Sequence, residues 1–214
     1  MSLKFPISLV GKKIRGYEYN EPCADYITDP ALTHVFYNNC TIEATYEGTL
    51  PTNKYHSSLS GQYWKFAKRL YFGTSCTNTG YQTFYGNSNI YGNLIFPENV
   101  ETIGYQCFFN AYNVSGITFL GNGIKRILAL AFQGLNKVTG TLYIPSSIEE
   151  IHNRAFRSTT FNRIEIHAVV APTIGASLTF SNMPNVTEIH VPSNATGYAA
   201  SYDGLTVVYD LPAG

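Results

Sequence analysis

The sequence predicts a mainly β repeat solenoid, a right-handed coil of units of about 24 residues with short parallel strands. Two observations predict it: phenylalanines recur with one constant period, and alternating apolar triplets recur at nearly the same spacing. A unit this short cannot bury its apolar side chains alone, so neighbouring units must stack into one continuous core. The phenylalanine column consists of Phe84, Phe108, Phe132, Phe156 and Phe180.

Two more apolar columns keep the same period. The segment Val100–Phe109, VETIGYQCFF, returns one period later as IKRILALAFQ and after a second period as IEEIHNRAFR. The columns contain Val100, Ile124 and Ile148, and then Ile103, Ile127 and Ile151. Since three columns agree in register, each unit has the same anchors for one shared core.

The alternating triplets predict the strands. They begin at Leu70, Leu94, Ile117, Leu142, Ile164 and Ile189. In a strand, residues one and three of such a triplet point into the core and the middle residue points outward. Because parallel strands lie about 4.8 Å apart, six coils would form a solenoid roughly 30 Å long.

Charged side chains also follow the repeat. Glu101, Lys125 and Glu149 share a column of alternating sign, and Arg126 lies beside Glu150 in the next column. We expect neighbouring coils to pair opposite charges on a solvated face. Each exposed pair contributes about 0–1 kcal/mol, so these pairs indicate register more than stability.

The chain divides near residue 70. Residues 1–69 hold half of the charged side chains and no clear repeat, which predicts an N-terminal cap or docking region. Within it, Pro22–Leu50 is interpreted as a worn repeat, because Phe36 lies two full periods before Phe84. Residues 70–214 are predicted to form the solenoid and its C-terminal cap.

Composition excludes several classes of function. Fourteen basic residues balance 14 acidic ones, so no overall field favours nucleic acid or an anionic membrane. The uncharged run Tyr71–Pro97 is rich in Gly, Asn, Thr and Ser, which argues against membrane insertion. The N-terminal sequence does not match a secretory signal peptide, and export by that route is not expected.

The cysteines predict neither a metal site nor a cofactor. Cys23, Cys40, Cys76 and Cys107 lack metal-ligand spacing, and the histidines show no metal-binding spacing either. Buried thiols are the preferred interpretation. A disulfide between Cys23 and Cys40 is the alternative for a protein that works outside a cell.

The middle residues of the triplets form the candidate binding ladder. They are Tyr71, Ile95, Thr118, Tyr143, Glu165 and His190. The strand-lined surface of a solenoid is the usual place for recognition, and exposed tyrosine and isoleucine suit contact with protein or sugar. The alternative is that such side chains are ordinary isolated surface residues.

Catalysis is not expected. Glu165 and His190 are neighbours in the ladder, but the sequence supplies no nucleophile or third orienting group beside them. A sugar-cleaving solenoid would need paired carboxylates, and the ladder offers one carboxylate among its six positions. Phosphate-binding, nucleophile-elbow and zinc-protease motifs are also absent from the sequence.

Three stretches carry a family resemblance. LIFPENVETIGYQCFFN, LYIPSSIEEIHNRAF and IHVPSNATGYAASYDGL resemble the BspA-type leucine-rich repeat, in which an apolar-x-Ile-Pro segment precedes a V/I-x-x-I segment and a phenylalanine. The resemblance covers about Leu70 to Leu211. The proline is missing from the coils that begin at Leu70, Ile117 and Ile164. The family implies a leucine-rich-repeat-like fold and a role in adhesion or protein recognition.

We therefore expect a non-enzymatic binding or structural module. The first hypothesis is a bacteriophage virion component, such as a fibre, tail or capsid decoration protein, because the chain lacks a secretion signal that the family usually carries. A cell-surface adhesin of a bacterium or protist is the alternative, and a carbohydrate-active solenoid enzyme is the third. Expected partners are virion proteins or a host surface receptor, glycans, and further copies of the chain.

Overall fold

The computed structural model describes residues 32–36, 42–46, 67–72, 77–88, 90–175 and 177–214. These residues form short strands and no helix. The strands are β1 Leu32–Phe36, β2 Ile42–Tyr46, β3 Ala67–Phe72, β4 Tyr91–Phe96, β5 Thr102–Ile103, β6 Asn113–Phe119, β7 Arg126–Ile127, β8 Thr141–Ile144, β9 Glu150–Ile151, β10 Arg163–Ile166, β11 Thr173–Ile174, β12 Glu188–Pro192, β13 Ser201–Tyr202 and β14 Leu205–Leu211.

The first three strands form one sheet in the order β1-β2-β3. β1 and β2 are antiparallel, whereas β2 and β3 are parallel. β3 crosses the predicted boundary at residue 70 and pairs with a strand from the N-terminal side of that boundary. The division at residue 70 and the worn repeat over Pro22–Leu50 stay predictions, because much of residues 1–69 lies outside the described ranges.

Parallel strands then stack coil upon coil, as the triplets predict. β4 pairs with β6, and β8, β10, β12 and β14 pair in succession. Burial alternates along β8 and β10: in β8, Leu142 and Ile144 are fully buried while Tyr143 is 43% exposed. The mainly β solenoid predicted from the sequence is therefore confirmed.

A second parallel sheet forms from the two-residue strands, in the order β11-β9-β7-β5. The register pairs Ile103 with Ile127 and Ile127 with Ile151, which is the column seen in the sequence. All three side chains are fully buried. The core therefore lies between this sheet, the longer strands and the phenylalanine turns.

The phenylalanine column is a continuous stack of rings. Ring centroids of successive members lie 5.2, 5.6, 5.5 and 5.9 Å apart from Phe84 to Phe180, and the interplanar angles are 16°, 7°, 17° and 2°. Their backbones are also joined: Phe108 N donates to the Ala131 carbonyl at 2.8 Å, and Phe132 N donates to the Ala155 carbonyl at 2.9 Å. Stacking and hydrogen bonds thus fix one register along the solenoid.

Each coil turns sharply on both sides of its phenylalanine. Two positions before it stand Gln82, Gln106, Leu130, Arg154 and Leu178, with φ between 52° and 62°. Two positions after it stand Gly86, Asn110, Gly134, Ser158 and Asn182, with φ between 55° and 82°. Left-handed backbone costs most residues about 1–2 kcal/mol, so Gly and Asn dominate the second set, while the ladder of hydrogen bonds holds the first set in place.

A hairpin closes the C-terminal end of the stack. β13 and β14 are antiparallel, and Tyr202 pairs with Leu205 across a tight turn of Asp203 and Gly204, with φ of 52° and 88°. The Asp203 carboxylate accepts hydrogen bonds from Leu178 N at 2.7 Å and Phe180 N at 2.8 Å. In earlier coils, the corresponding amides bond to carbonyls of the next coil, so Asp203 replaces the coil that is missing here.

The charge columns form only part of the predicted pairing. Lys125 Nζ lies 3.1 Å from Glu101 Oε1, as expected. The backbones of Arg126 and Glu150 pair, but the Arg126 side chain bonds to Thr102 and the Glu150 carboxylate bonds to His152 at 3.0 Å. Other partners are preferred because an exposed charge pair offers little extra energy.

Cys107 is the cysteine that the described ranges include. It is buried, and its thiol donates to the Thr79 carbonyl at 3.4 Å. Cys23, Cys40 and Cys76 lie outside the described residues, as does the alternative of a Cys23–Cys40 disulfide. No helix long and apolar enough to cross a membrane occurs in the part of the chain that the structure describes.

Candidate recognition surface

The predicted ladder lies on the outward face of the longer strands, which we call the strand face. Ile95 is opposite Thr118 across β4 and β6, and Tyr143, Glu165 and His190 are opposite one another across β8, β10 and β12. The two runs belong to different sheets, and β3, which carries Tyr71, belongs to a third, so the ladder is divided among three sheets. Tyr71 lies on β3 opposite Thr45, but its side chain is outside the described part of the structure.

The outward side chains of β4, β6 and β8 are uncharged. Those that are exposed or half-exposed are Tyr91, Asn93, Ile95, Asn113, Ser115, Thr118, Thr141 and Tyr143. The exposed Lys137, which precedes β8, donates to Asn113 Oδ1 at 2.6 Å. Tyr91 and Ile95 are each 44% exposed. Asn93 Nδ2 donates to Thr118 Oγ1 at 2.7 Å and so ties the two strands together at the surface. We call this region the neutral half.

The strand face from β10 to β14 carries a cluster of charged and imidazole side chains, which we call the charged half. It contains Arg163, Glu165, His167, Glu188, His190 and Asp210. Arg163 lies at the centre: its Nε donates to Glu165 Oε1 at 2.6 Å and its Nη1 donates to His190 Nε2 at 3.0 Å. Its Nη2 lies 4.0 Å from Asp210 Oδ2.

His190 is held from two sides. Arg163 can only donate, so His190 Nε2 must accept, and the proton of the neutral ring then lies on Nδ1. That Nδ1 donates to Asp210, whose two carboxylate oxygens each lie 2.9 Å away. Although the sequence predicted an outward residue, these neighbours cover His190, and it is only 8% exposed.

A β-bulge brings Asp210 to this position. Val191 is opposite Tyr209 and Pro192 is opposite Leu211, so Asp210 is the extra residue of β14. The bulge lets Tyr209 and Asp210 both face solvent while Leu211 returns to the core. Without the extra residue, the alternation of β14 would put one more side chain inward.

Glu165 is stabilised as a carboxylate. Partial burial would raise the pKa of Glu165, but hydrogen bonds from Arg163 and His167 outweigh that effect and hold the pKa below its usual value. The His167 Nε2 to Glu165 Oε2 distance is 3.2 Å. The His167 ring also packs against Tyr143, with centroids 4.2 Å apart, and so joins the neutral and charged halves.

The geometry of the charged half suits binding better than catalysis. Asp210 orients His190, and Asp210 is therefore a third group that the sequence did not reveal. However, Arg163 occupies the His190 Nε2 lone pair that a general base would use. Both carboxylate oxygens of Glu165 are likewise engaged, by Arg163 and His167.

Among the residues that the structure describes, no group of three or more His, Cys, Asp or Glu side chains is placed to hold a metal ion. A separate histidine–glutamate pair, His152 and Glu150, lies in an open cleft of about 430 Å³ beside β9. Their side chains are 44% and 43% exposed, as expected for a solvated surface pair.

Sequence reasoning placed Glu165 and His190 on one face but missed their partners. Arg163 and His167 flank Glu165 at a spacing of two residues, so strand periodicity could have identified them. Asp210 carries no such signal, because its position depends on the bulge in β14. Arg163, and not a direct contact, links Glu165 to His190.

Stacked coils, parallel short strands and a repeated phenylalanine turn define this chain as a leucine-rich-repeat solenoid. Residues 64–139 and 120–202 match the model of the BspA type leucine rich repeat region, in six copies. The two ranges together cover well over half of the chain. The chain therefore belongs to this family, and the resemblance seen in the sequence is confirmed.

Two solved structures show the same fold. A leucine-rich repeat protein from Eubacterium ventriosum is 18% identical, has a TM-score of 0.62, and is matched over 78% of this chain and 43% of its own. A leucine rich cell surface protein from Faecalibacterium prausnitzii is 16% identical and has a TM-score of 0.50. The match covers 86% of this chain and 58% of that protein. The chain thus spans less than two thirds of either protein. No curated protein matches it.

Proposed function

We propose that this chain is a non-enzymatic binding module that recognises another protein through its strand face. The observation that carries the proposal is the row of large exposed side chains on the neutral half, with Tyr91, Ile95 and Tyr143 each between 43% and 44% exposed. Tyrosine offers contact area together with a hydrogen-bonding hydroxyl. Parallel strands hold these side chains at fixed spacing, which lowers the entropy lost on binding.

The proposal has two forms, which differ in where the module is located: on a virion or on the surface of a cell. A virion component was the first expectation from the sequence, and a cell-surface adhesin was the alternative. One of the similar structures is a cell-surface protein of a bacterium, which favours the adhesin. Labelling intact source cells and purified particles with an antibody against the chain separates the two: the adhesin form requires labelled cells.

Binding through the strand face can be tested with a displayed library of random peptides. Peptides selected on the purified protein should lose at least about fivefold in affinity for the double variant Ile95→Ser/Tyr143→Ser, because the amphipathic contacts are removed. Binding would be measured by fluorescence anisotropy with the same peptides.

The matched control is Tyr112→Ser, since Tyr112 is 41% exposed just before β6 and is not an outward triplet residue. Selected peptides that respond to the control and not to the double variant would contradict the proposal. Release of products from a panel of glycans would instead support the carbohydrate-active enzyme. Glycan binding without cleavage would indicate that the partner is a glycan. Self-association would indicate that the partner is a further copy of the chain.

A further inference from the structure

We infer that the partner segment is cationic, with a lysine or arginine side chain that lies over the charged half and an apolar or aromatic side chain over the neutral half. The inference rests on the proposed function and specifies the chemistry of the partner. It depends on the unequal distribution of charge along one continuous surface. The outward residues of β4, β6 and β8 are uncharged, whereas those of β10, β12 and β14 include three carboxylates and one guanidinium.

Internal pairing leaves carboxylates available. Arg163 contacts Glu165 at 2.6 Å and lies 4.0 Å from Asp210, so the one guanidinium balances one of the three carboxylates. Glu188 is 50% exposed, and its nearest cationic or imidazole partner is His190 at 3.7 Å. Asp210 is 44% exposed, accepts from His190 Nδ1 and shares Arg163 with Glu165, which lies closer to the guanidinium. The charged half therefore carries a net excess of two negative charges.

These two carboxylates lie on either side of the covered His190 ring. Glu188 approaches its Nε2 edge and Asp210 holds its Nδ1 edge. A lysine or arginine placed over the ring would meet both carboxylates without displacing any hydrogen bond of the cluster. A metal ion is a weaker fit, because the described residues include no group of three or more ligating side chains so placed.

Strand spacing sets the spacing of the partner residues. Tyr143 on β8 and His190 on β12 are in register through Glu165, two strands apart in the same sheet, which is about 10 Å. An extended segment that crosses the strands advances about 3.3 Å per residue. The apolar side chain and the cation should therefore stand about three residues apart in the partner.

The test uses three synthetic peptides and the full-length chain. The first contains leucine and lysine three positions apart in a threonine-rich background, the second replaces lysine by glutamate, and the third places the two residues next to each other. Fluorescence anisotropy should show the first peptide binding most tightly. Its affinity should fall as salt rises from about 0.05 M to about 0.5 M, because exposed charge pairs are screened.

Variants assign the interaction to the two carboxylates. Glu188→Gln and Asp210→Asn should each lower the affinity for the lysine peptide about two- to fivefold. Neither variant should lower the affinity for the glutamate peptide. Glu149→Gln, an exposed carboxylate just before β9 in the other sheet, is the matched control and should change nothing. Because Asp210 also holds His190, Glu188→Gln is the decisive variant if Asp210→Asn alters the fold.

The outcomes separate the inference from the proposed function. Equal binding of the lysine and glutamate peptides, or an unchanged affinity in Glu188→Gln, would overturn the inference. If library peptides bind the strand face without lysine or arginine and without salt dependence, the proposed function stands and the inference fails. If no peptide responds to the Ile95→Ser/Tyr143→Ser variant, the proposed function itself fails.

Discussion

At the scale of single residues, hydrogen bonds decide the properties of the strand face. Arg163 donates to Glu165 and to His190, and Asp210 accepts from His190 on its other edge. Each link uses a different atom, so the four side chains hold one another in a single arrangement. Periodicity predicts that Glu165 and His190 face outward, but it contains no information on which donor meets which acceptor.

The ionised form of Glu165 should stabilise the fold in a pH-dependent way. Its pKa is lowered in the folded chain from an ordinary 4.5, so its contribution is complete above that pH and is lost as pH falls through the lower, folded-state pKa. Glu165→Gln should reduce the free energy of unfolding by up to about 1 kcal/mol near pH 7 and by less near pH 3. Urea unfolding at both pH values measures the difference.

Glu149→Gln is the control for that experiment, because Glu149 is an exposed carboxylate away from the charged half. Its substitution should leave the urea midpoint nearly unchanged at both pH values. A loss in Glu165→Gln that is equal at the two pH values would show that ionisation is not the cause.

At the scale of elements, the C-terminal hairpin performs the task of a missing coil. The Asp-Gly turn has the two positive φ values that a tight hairpin requires. The same Asp203 accepts hydrogen bonds from two amides of the last phenylalanine turn, those of Leu178 and Phe180. The dipeptide in the sequence is a turn signal, but its capping role follows only from where the hairpin lies on the stack.

Substitution of Asp203 should separate turn formation from capping. Asp203→Asn keeps a favourable turn residue and one acceptor oxygen, so we expect a loss of about 1 kcal/mol. Asp203→Ala removes both acceptors and strains the left-handed position, and about 2–4 kcal/mol should be lost. Urea unfolding gives the energies, and hydrogen exchange of the Leu178 and Phe180 amides reports the cap directly. Equal losses for Asn and Ala would contradict a capping role.

At the scale of the whole molecule, the solenoid is a linear stack in which each coil contacts mainly its neighbours. Phe132 stacks between Phe108 and Phe156 and also meets Phe96 edge-on, whereas Phe180 stacks on Phe156 at the end of the column. A defect in the middle should therefore uncouple the two halves. A defect at the end should leave most of the stack intact.

Phe132→Ala should lower the free energy of unfolding by about 3–5 kcal/mol, since it leaves a cavity with aromatic neighbours on two sides. It should also broaden the urea transition or divide it in two, because the coils on either side lose their coupling. Phe180→Ala is the matched control. It should lower the free energy of unfolding by a smaller amount and leave a single urea transition. Equal costs and equally sharp transitions would contradict the linear model.

The sequence by itself determined the period, the phenylalanine stack and the inward and outward positions of the repeated triplets. These features depend on spacing alone, because a residue at a fixed position in each coil must lie against its counterpart in the next coil. Only the tertiary structure decided the division of the ladder among three sheets, the bulge that exposes Asp210 and the cap made by Asp203. Those features depend on contacts between residues at different positions of the coil, and no repeat in the sequence encodes them.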